Sequence, residues 1–275
     1  MTVVVSRWRE LQQALLAGPA VLVTVAQVEG SGPREVGAWM AVTAVACINT
    51  IGGGALEFDA MARARRLLAE ADKQTVVQRV ALGPSLGQCC GGVVHLRYEW
   101  LTAADGPGLA ERLRPAEPGL NVALFGGGHV GCAIVELLGR LPGRVQWIDS
   151  RDEVFPPALL LGDIEAEHSE PVQAAVASLR PGASVLIMSF SHAEDLDVLA
   201  ACLLRQRSAA DLPFIGLIGS KSKWASFKAR LRARGFSEAE LAWVTSPIGL
   251  AGIKGKQPEV IALAVVAQLL LLAQR

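Results

Sequence analysis

The chain has a single tyrosine and only 5% aromatic residues, and its 26 Lys and Arg are matched by 26 Asp and Glu. With no excess of positive charge there is no global field to gather nucleic acid, and with so few aromatics there is no base-stacking surface. Nucleic acid is therefore not an expected partner. The most hydrophobic stretch, Val260–Ala273, is interrupted by Gln268 and falls short of the roughly 20 residues that span a bilayer. The Val3–Val5 run near the start is far shorter than the apolar core of a signal peptide. No membrane partner is expected. Cysteines are few and odd in number, five in all, at spacings that form no disulfide ladder and no C-x-x-C pair. A disulfide framework and a structural zinc are both disfavoured, and a reducing cytoplasmic compartment is the simplest expectation. Only four histidines are present, which leaves little material for proton-transfer pairs.

What remains is rich in core-forming residues. The sequence is 51% hydrophobic with a mean hydropathy of +0.36, ample for buried cores, and its 275 residues suit two domains. Residues 1–100 mix helical and strand signals without regular alternation, the mark of an α+β module. Helical spacing runs from Ser6 to Ala17 and again from about Ala55 to Ala71, with strands predicted at 21–28, 38–42, 44–48, 75–82 and 93–100. Residues 101–119 carry Gly106, Pro107, Gly108, Pro115, Pro118 and Gly119, and read as a linker. Residues 120–275 then alternate: strand at 121–125, glycine turn, helix to about 141, strand at 145–149, and later strands at 184–188 and 214–218. That order predicts a Rossmann-like parallel sheet covered on both faces. The fold class is α/β, an α+β module followed by this domain and closed by a terminal helix. That helix can serve a homodimer or lie buried within the chain.

Gly126, Gly127, Gly128, His129, Val130 and Gly131 satisfy G-x-G-x-x-G between a strand and a helix. The second strand ends at Asp149, about 20 residues further on, where an acid that binds ribose belongs. The first glycine allows the turn, the second admits a pyrophosphate, and the third lets helix meet sheet. Arg151 could admit a 2′-phosphate while Asp149 favours the unphosphorylated ribose, so NAD(P) is a candidate cofactor. His129 can face a ligand or cap the turn. Two further loops favour anions. Arg34 sits in a glycine–proline turn, and Gly52, Gly53 and Gly54 lead into a helix whose N–H groups can form a nest, with Glu57 one turn in. Each can equally be a plain turn.

Gly87-Gln88-Cys89-Cys90-Gly91-Gly92 is the least expected stretch. Neighbouring side chains point apart, so Cys89 and Cys90 neither share a core face nor easily bridge one another. Framed by glycine, they suit soft-ligand or sulfur chemistry; two small apolar side chains in a tight turn is the plainer reading. Cys47, Cys132 and Cys202 read as core residues.

Taken in order, these segments resemble the xanthine dehydrogenase accessory protein family, the XdhC/CoxI group. The resemblance rests on Gly32–Met40, Ile51–Glu57, Gly87–Gly92, Leu124–Gly131, Trp147–Arg151, Gly216–Lys221 and Ser246–Leu250. It implies a maturation factor more than a turnover enzyme. Such proteins bind the molybdenum cofactor, a Mo-molybdopterin, and support replacement of its terminal oxo ligand by sulfido. They deliver it to the apo-subunit of a molybdenum hydroxylase of the xanthine dehydrogenase type, with a cysteine desulfurase supplying sulfur. Cys89 or Cys90 would then be the thiol nearest the metal. One departure stands out: Met188-Ser189-Phe190-Ser191 occupies the place where the family suggests Met-Thr-His. An NAD(P)-dependent oxidoreductase is the alternative that the residues of the second domain leave open.

Overall fold

A continuous apolar run lets the first half of Ala20–Glu29 pack on both faces, apolar residues at every second position give Val93–Leu101 one buried face, and these strands form the centre of the first sheet. The computed structural model describes residues 7–82, 91–113, 119–160 and 163–274. The described residues divide into two compact units, one within Val5–Glu117 and the other within Pro118–Arg275.

The first unit runs α1 (Arg7–Ala17), β1 (Ala20–Glu29), β2 (Trp39–Val42), β3 (Cys47–Asn49), α2 (Gly54–Glu70), β4 (Val76–Ala81), β5 (Val93–Leu101) and α3 (Leu109–Arg112). Its five strands are antiparallel in the order β3-β2-β1-β5-β4. On one face Val21, Val23 and Val25 pack with Val94, Leu96 and Tyr98 under Leu56, Ala60 and Ala64 of α2. On the other, Leu22, Trp39 and Ala41 pack with Leu11 and Leu15 of α1 and with Leu109 and Leu113. Each fully buried Val or Leu contributes about 1.5–3 kcal/mol, so a helix on each face closes the sheet. Ala71 ends α2 in the left-handed conformation, returning its N–H to the carbonyls of Leu67 and Leu68.

The linker expected over 101–119 is folded for much of its length. Ala103–Gly108 is a 3-10 helix opened by a capping box between Thr102 and Asp105, and α3 follows it. Glycine and proline there shape a tight helical turn instead of a tether, because Leu109 and Leu113 are drawn into the core. The strand expected over 44–48 is shorter as well. The Thr43 hydroxyl accepts N–H bonds from Val45 and Ala46, and this local turn delays β3 to Cys47.

The second unit is a six-stranded parallel sheet in the order β11-β10-β9-β6-β7-β8. Its elements are β6 (Leu120–Phe125), α4 (His129–Leu138), β7 (Gly143–Asp149), β8 (Ile164–His168), β9 (Ser184–Ile187), α5 (His192–Ala209), β10 (Phe214–Leu217), α6 (Lys221–Ala233), α7 (Glu238–Leu241), β11 (Val244–Thr245) and α8 (Pro258–Ala273). Val122, Leu124 and Leu186 pack beneath α4 and α8, while Phe125, Val185 and Ile187 pack beneath α5 and α6. Strand order reverses between β6 and β9, so a crevice opens at their carboxyl ends. The edge strands β8 and β11 carry no apolar run, the first reading Ile-Glu-Ala-Glu-His and the second only two residues long. Neither announces itself in the sequence. No helix among the described residues is long and apolar enough to cross a membrane.

Candidate functional site

In the first unit the antiparallel order gathers the motif loops. The β1–β2 loop, the β3–α2 loop and the β4–β5 loop all leave from one end of the sheet, because β1 finishes there and β5 begins there. The first carries Arg34, the second Gly52–Gly54, and the third Cys89 and Cys90. Those two cysteines lie outside the described residues; Gly91 and Gly92, which follow them, do not. Close backbone contact binds the loops together. A Cβ on Gly92 would lie 2.2 Å from the Ser31 carbonyl oxygen, and one on Gly52, at φ +121°, 2.7 Å from Pro33 Cβ. Only glycine fits either position.

Within this cluster two carboxylates hold the groups that could meet an anion. Glu57 reaches back from the first turn of α2. Its Oε2 accepts from Ile51 N at 2.9 Å, from Gly53 N at 3.2 Å and from the Thr50 hydroxyl. Burial works against the ionised form, yet these donors outweigh it and hold Glu57 below the usual carboxylate range. The nest expected over Gly52–Gly54 is thus filled from within by the chain's own acid. Arg34 is bidentate to Glu35, Nε to Oε2 at 3.0 Å and Nη2 to Oε1 at 2.8 Å, and also donates to Thr50 O at 3.4 Å. The guanidinium draws Glu35 down to about 2. Glu35 is largely exposed, and such a pair is readily exchanged for another anion.

In the second unit the glycine turn sits at the crevice. Gly126, at φ +127°, packs so closely on β9 that a Cβ would lie 2.0 Å from Met188 O. A Cβ on Gly131 would lie 2.1 Å from Gly126 O, which is how α4 comes down onto the sheet. Around Gly128 there is open space, and no side chain caps the N-terminus of α4. His129 is exposed on its first position. This arrangement leaves backbone N–H groups and a positive dipole end available to a phosphate. Asp149 ends β7, only 2% exposed. Its Oδ2 accepts from Gly127 N at 2.6 Å and Arg151 Nη2 at 2.9 Å; its Oδ1 accepts from Arg151 N and Nε, both at 2.9 Å. Burial disfavours the charge, but Arg151 and the Gly127 N–H prevail and the pKa is lowered. Arg151 in turn lies over the Phe190 ring, 4.5 Å from its centroid.

The matches to known proteins agree with this geometry. The model of the XdhC Rossmann domain matches residues 122–269, more than half the chain, and that of the XdhC and CoxI family matches residues 15–80. The chain belongs to the XdhC and CoxI family. A crystal structure from Bacillus halodurans described as a xanthine dehydrogenase superposes with a TM-score of 0.71, covering 100% of this chain and 96% of that one. At 20% identity it speaks for the fold. YqeB of Escherichia coli K12, an uncharacterized protein, is 27% identical over 256 residues. That alignment takes in 92% of this chain but 43% of YqeB, so the chain spans less than half the length of this curated relative.

In this XdhC and CoxI member a second layer of side chains ties the crevice loops together. Glu194, in the first turn of α5, accepts from the Ser150 hydroxyl at 2.9 Å and from Phe190 N at 3.1 Å, joining the ends of β7 and β9. Asp195 is buried; it accepts from Ser189 N at 2.7 Å and from Lys223 Nζ at 2.6 Å, and Lys223 also donates to Ile218 O at 2.9 Å. Asp195 lies in the first turn of α5, where an acid is ordinary, and nothing in the sequence marks Lys223 as its partner. Lys223 crosses the turn over Gly219, whose Cβ position lies 2.5 Å from Lys223 Cδ. The other cysteines divide. Cys202 is buried, its thiol pushed up to about 12 by burial, and Cys132 is half-buried, whereas Cys47 lies exposed on the edge strand β3. Cys47 is thus not the core residue its apolar neighbours suggest, because the edge position leaves one flank unpaired. Among the described residues no three His, Cys, Asp or Glu converge as metal ligands.

Proposed function

We propose that this chain carries the molybdenum cofactor, supports its sulfuration and inserts it into a hydroxylase of the xanthine dehydrogenase type. The observation that carries the reading is the convergence of its three motif loops on one end of the first unit's sheet, in a chain of this family. The cofactor is cargo, and the chain's own groups act on it by binding. Cys89 and Cys90 supply soft thiolates toward molybdenum and toward sulfur delivered by a cysteine desulfurase. Arg34 can exchange Glu35 for the cofactor's phosphate. A homodimer is part of the reading, supported by Leu263, Leu270 and Leu271, which stand exposed along α8.

The test is cofactor retention and transfer by the purified chain. Molybdenum held after gel filtration is measured by elemental analysis, and activation of an apo-hydroxylase is measured separately. The Cys89→Ala, Cys90→Ala double variant is expected to lose both. Full retention and full activation by the double variant would exclude the thiol role.

A second reading, an NAD(P)-dependent oxidoreductase, draws support from the open space at Gly128 and the uncapped α4. The residues fit a dinucleotide. Gly128 and His129 would face its pyrophosphate, while Asp149 would meet its ribose only in exchange for Arg151, which now holds both carboxylate oxygens. The dinucleotide would supply hydride transfer when bound. Steady oxidation of NADH with a small carbonyl compound would favour this reading over the first.

A further inference from the structure

The first unit has a cleft, on the sheet face opposite α2, to which neither reading gives a role. It encloses about 270 Å³ and is lined by Leu22, Thr24, Val36, Arg97, Arg112 and Leu113 among others. Thr24 and Arg97 are directly paired across β1 and β5, so register alone brings a hydroxyl and a guanidinium to one wall. Arg112 reaches in from α3 and donates to Glu99 Oε1 at 3.0 Å, while Arg97 Nε stands 3.1 Å from Glu99 Oε2. One carboxylate therefore serves two guanidiniums, and one positive charge is left over.

Hydrogen bonding is incomplete here. Thr24 Oγ1, Arg97 Nε and Glu99 Oε2 are buried and, among the described residues, have no aligned hydrogen-bond partner. Buried polar atoms in folded proteins nearly always have one. Two of the three can donate, and both belong to residues that line the same cleft beside the surplus charge. We propose that this cleft binds a small organic carboxylate with a short aliphatic tail. The carboxylate satisfies the Thr24 hydroxyl and the arginines, which favour planar anions. Leu22, Val36 and Leu113 take the tail. The volume lies just under the range of ordinary ligand pockets, which restricts the ligand to a few carbon atoms. A phosphate dianion fits less well, because it exceeds the single surplus charge and leaves polar oxygens against apolar walls.

The experiment uses the full chain with propionate and butyrate as probes, at constant ionic strength, by saturation-transfer NMR and titration calorimetry. Saturable binding is expected, not reproduced by propanol and not competed by inorganic phosphate. Arg112→Gln should weaken it by about tenfold, the worth of one charge-assisted hydrogen bond. Val36→Trp, made on an exposed loop residue, should abolish it by filling the cleft without removing charge. Thr24→Val keeps the shape of the wall and should weaken binding severalfold, so the test stands even if one of the other variants fails to fold. Non-saturable binding overturns the proposal. So does competition by phosphate equal to that by propionate, or wild-type affinity in any folded member of the three variants.

Discussion

Asp149→Asn tests whether the carboxylate at the end of β7 is held as tightly as its four donors imply. Two of them, Gly127 N and Arg151 Nη2, address Oδ2, and the other two, Arg151 N and Nε, address Oδ1. An asparagine can present oxygen to one pair only, and its amide must then face two donors with a third. Removing one partner of a buried charged pair costs about 3–5 kcal/mol, and the partial exposure of Arg151 brings the expectation down to about 2–3 kcal/mol. With two compact units a single global unfolding curve would mix their stabilities. Amide hydrogen exchange in β6 and β7 under mild urea reads the second unit directly. The variant should exchange there about fiftyfold faster at neutral pH, the equivalent of that free energy. The difference has a pH signature. Asp149 is held below its ordinary value, so its contribution is complete above the unfolded carboxylate pKa and fades as pH falls through the folded one. Wild type and variant should therefore converge in acid. Exchange within about twofold at neutral pH, or a gap that persists unchanged into acid, would refute the account.

Substitutions at two other positions bear on the backbone. Gly131→Ala in the first turn of α4 would ordinarily gain from alanine's higher helix propensity, but here the sign should reverse, because the new methyl meets Gly126 O at 2.1 Å. A loss of about 1–3 kcal/mol in the second unit is expected from the same β6 and β7 amide exchange, of the size seen on overpacking. Glu57→Ala should strip partners from Ile51 N and Gly53 N and cost about 2–3 kcal/mol in the first unit, whereas Glu57→Gln keeps an acceptor and should cost about 1 kcal/mol. Urea unfolding of both variants, followed through exchange of the α2 amides, distinguishes them.

Most of the second unit is legible from its pattern. Short apolar strands, a glycine turn and a terminal acid fix β6, α4 and β7, because each glycine has a distinct steric duty and the strands are buried on both faces. The edge strands β8 and β11 escape that logic, since an edge needs no continuous apolar run. In the first unit, spacing finds α1, α2 and the central strands β1 and β5, but it misreads 101–113 as linker. There the glycines and proline shape a turn whose value lies in burying Leu109 and Leu113. The sequence offers Asp149 as a ribose acid and Gly52–Gly54 as a nest or a plain turn. It cannot tell that Arg151 and Glu57 already occupy them, because those contacts depend on side-chain paths. Lys223 is harder still: its partner Asp195 is 28 positions away, and only the fold brings them together.

The hairpin between β2 and β3 turns at the end of the sheet opposite the motif loops. Val21 pairs with Val42 just before that turn, and Glu29 pairs with Val93 beside the cysteine loop, so the two ends are about 26 Å apart along β1. At the turn's tip Val45 is 95% exposed. A fluorophore or spin label fixed there sits on the same rigid strands as the motif loops but beyond reach of whatever docks on them. It provides a molecular ruler whose origin stays still when a ligand is added at the far end.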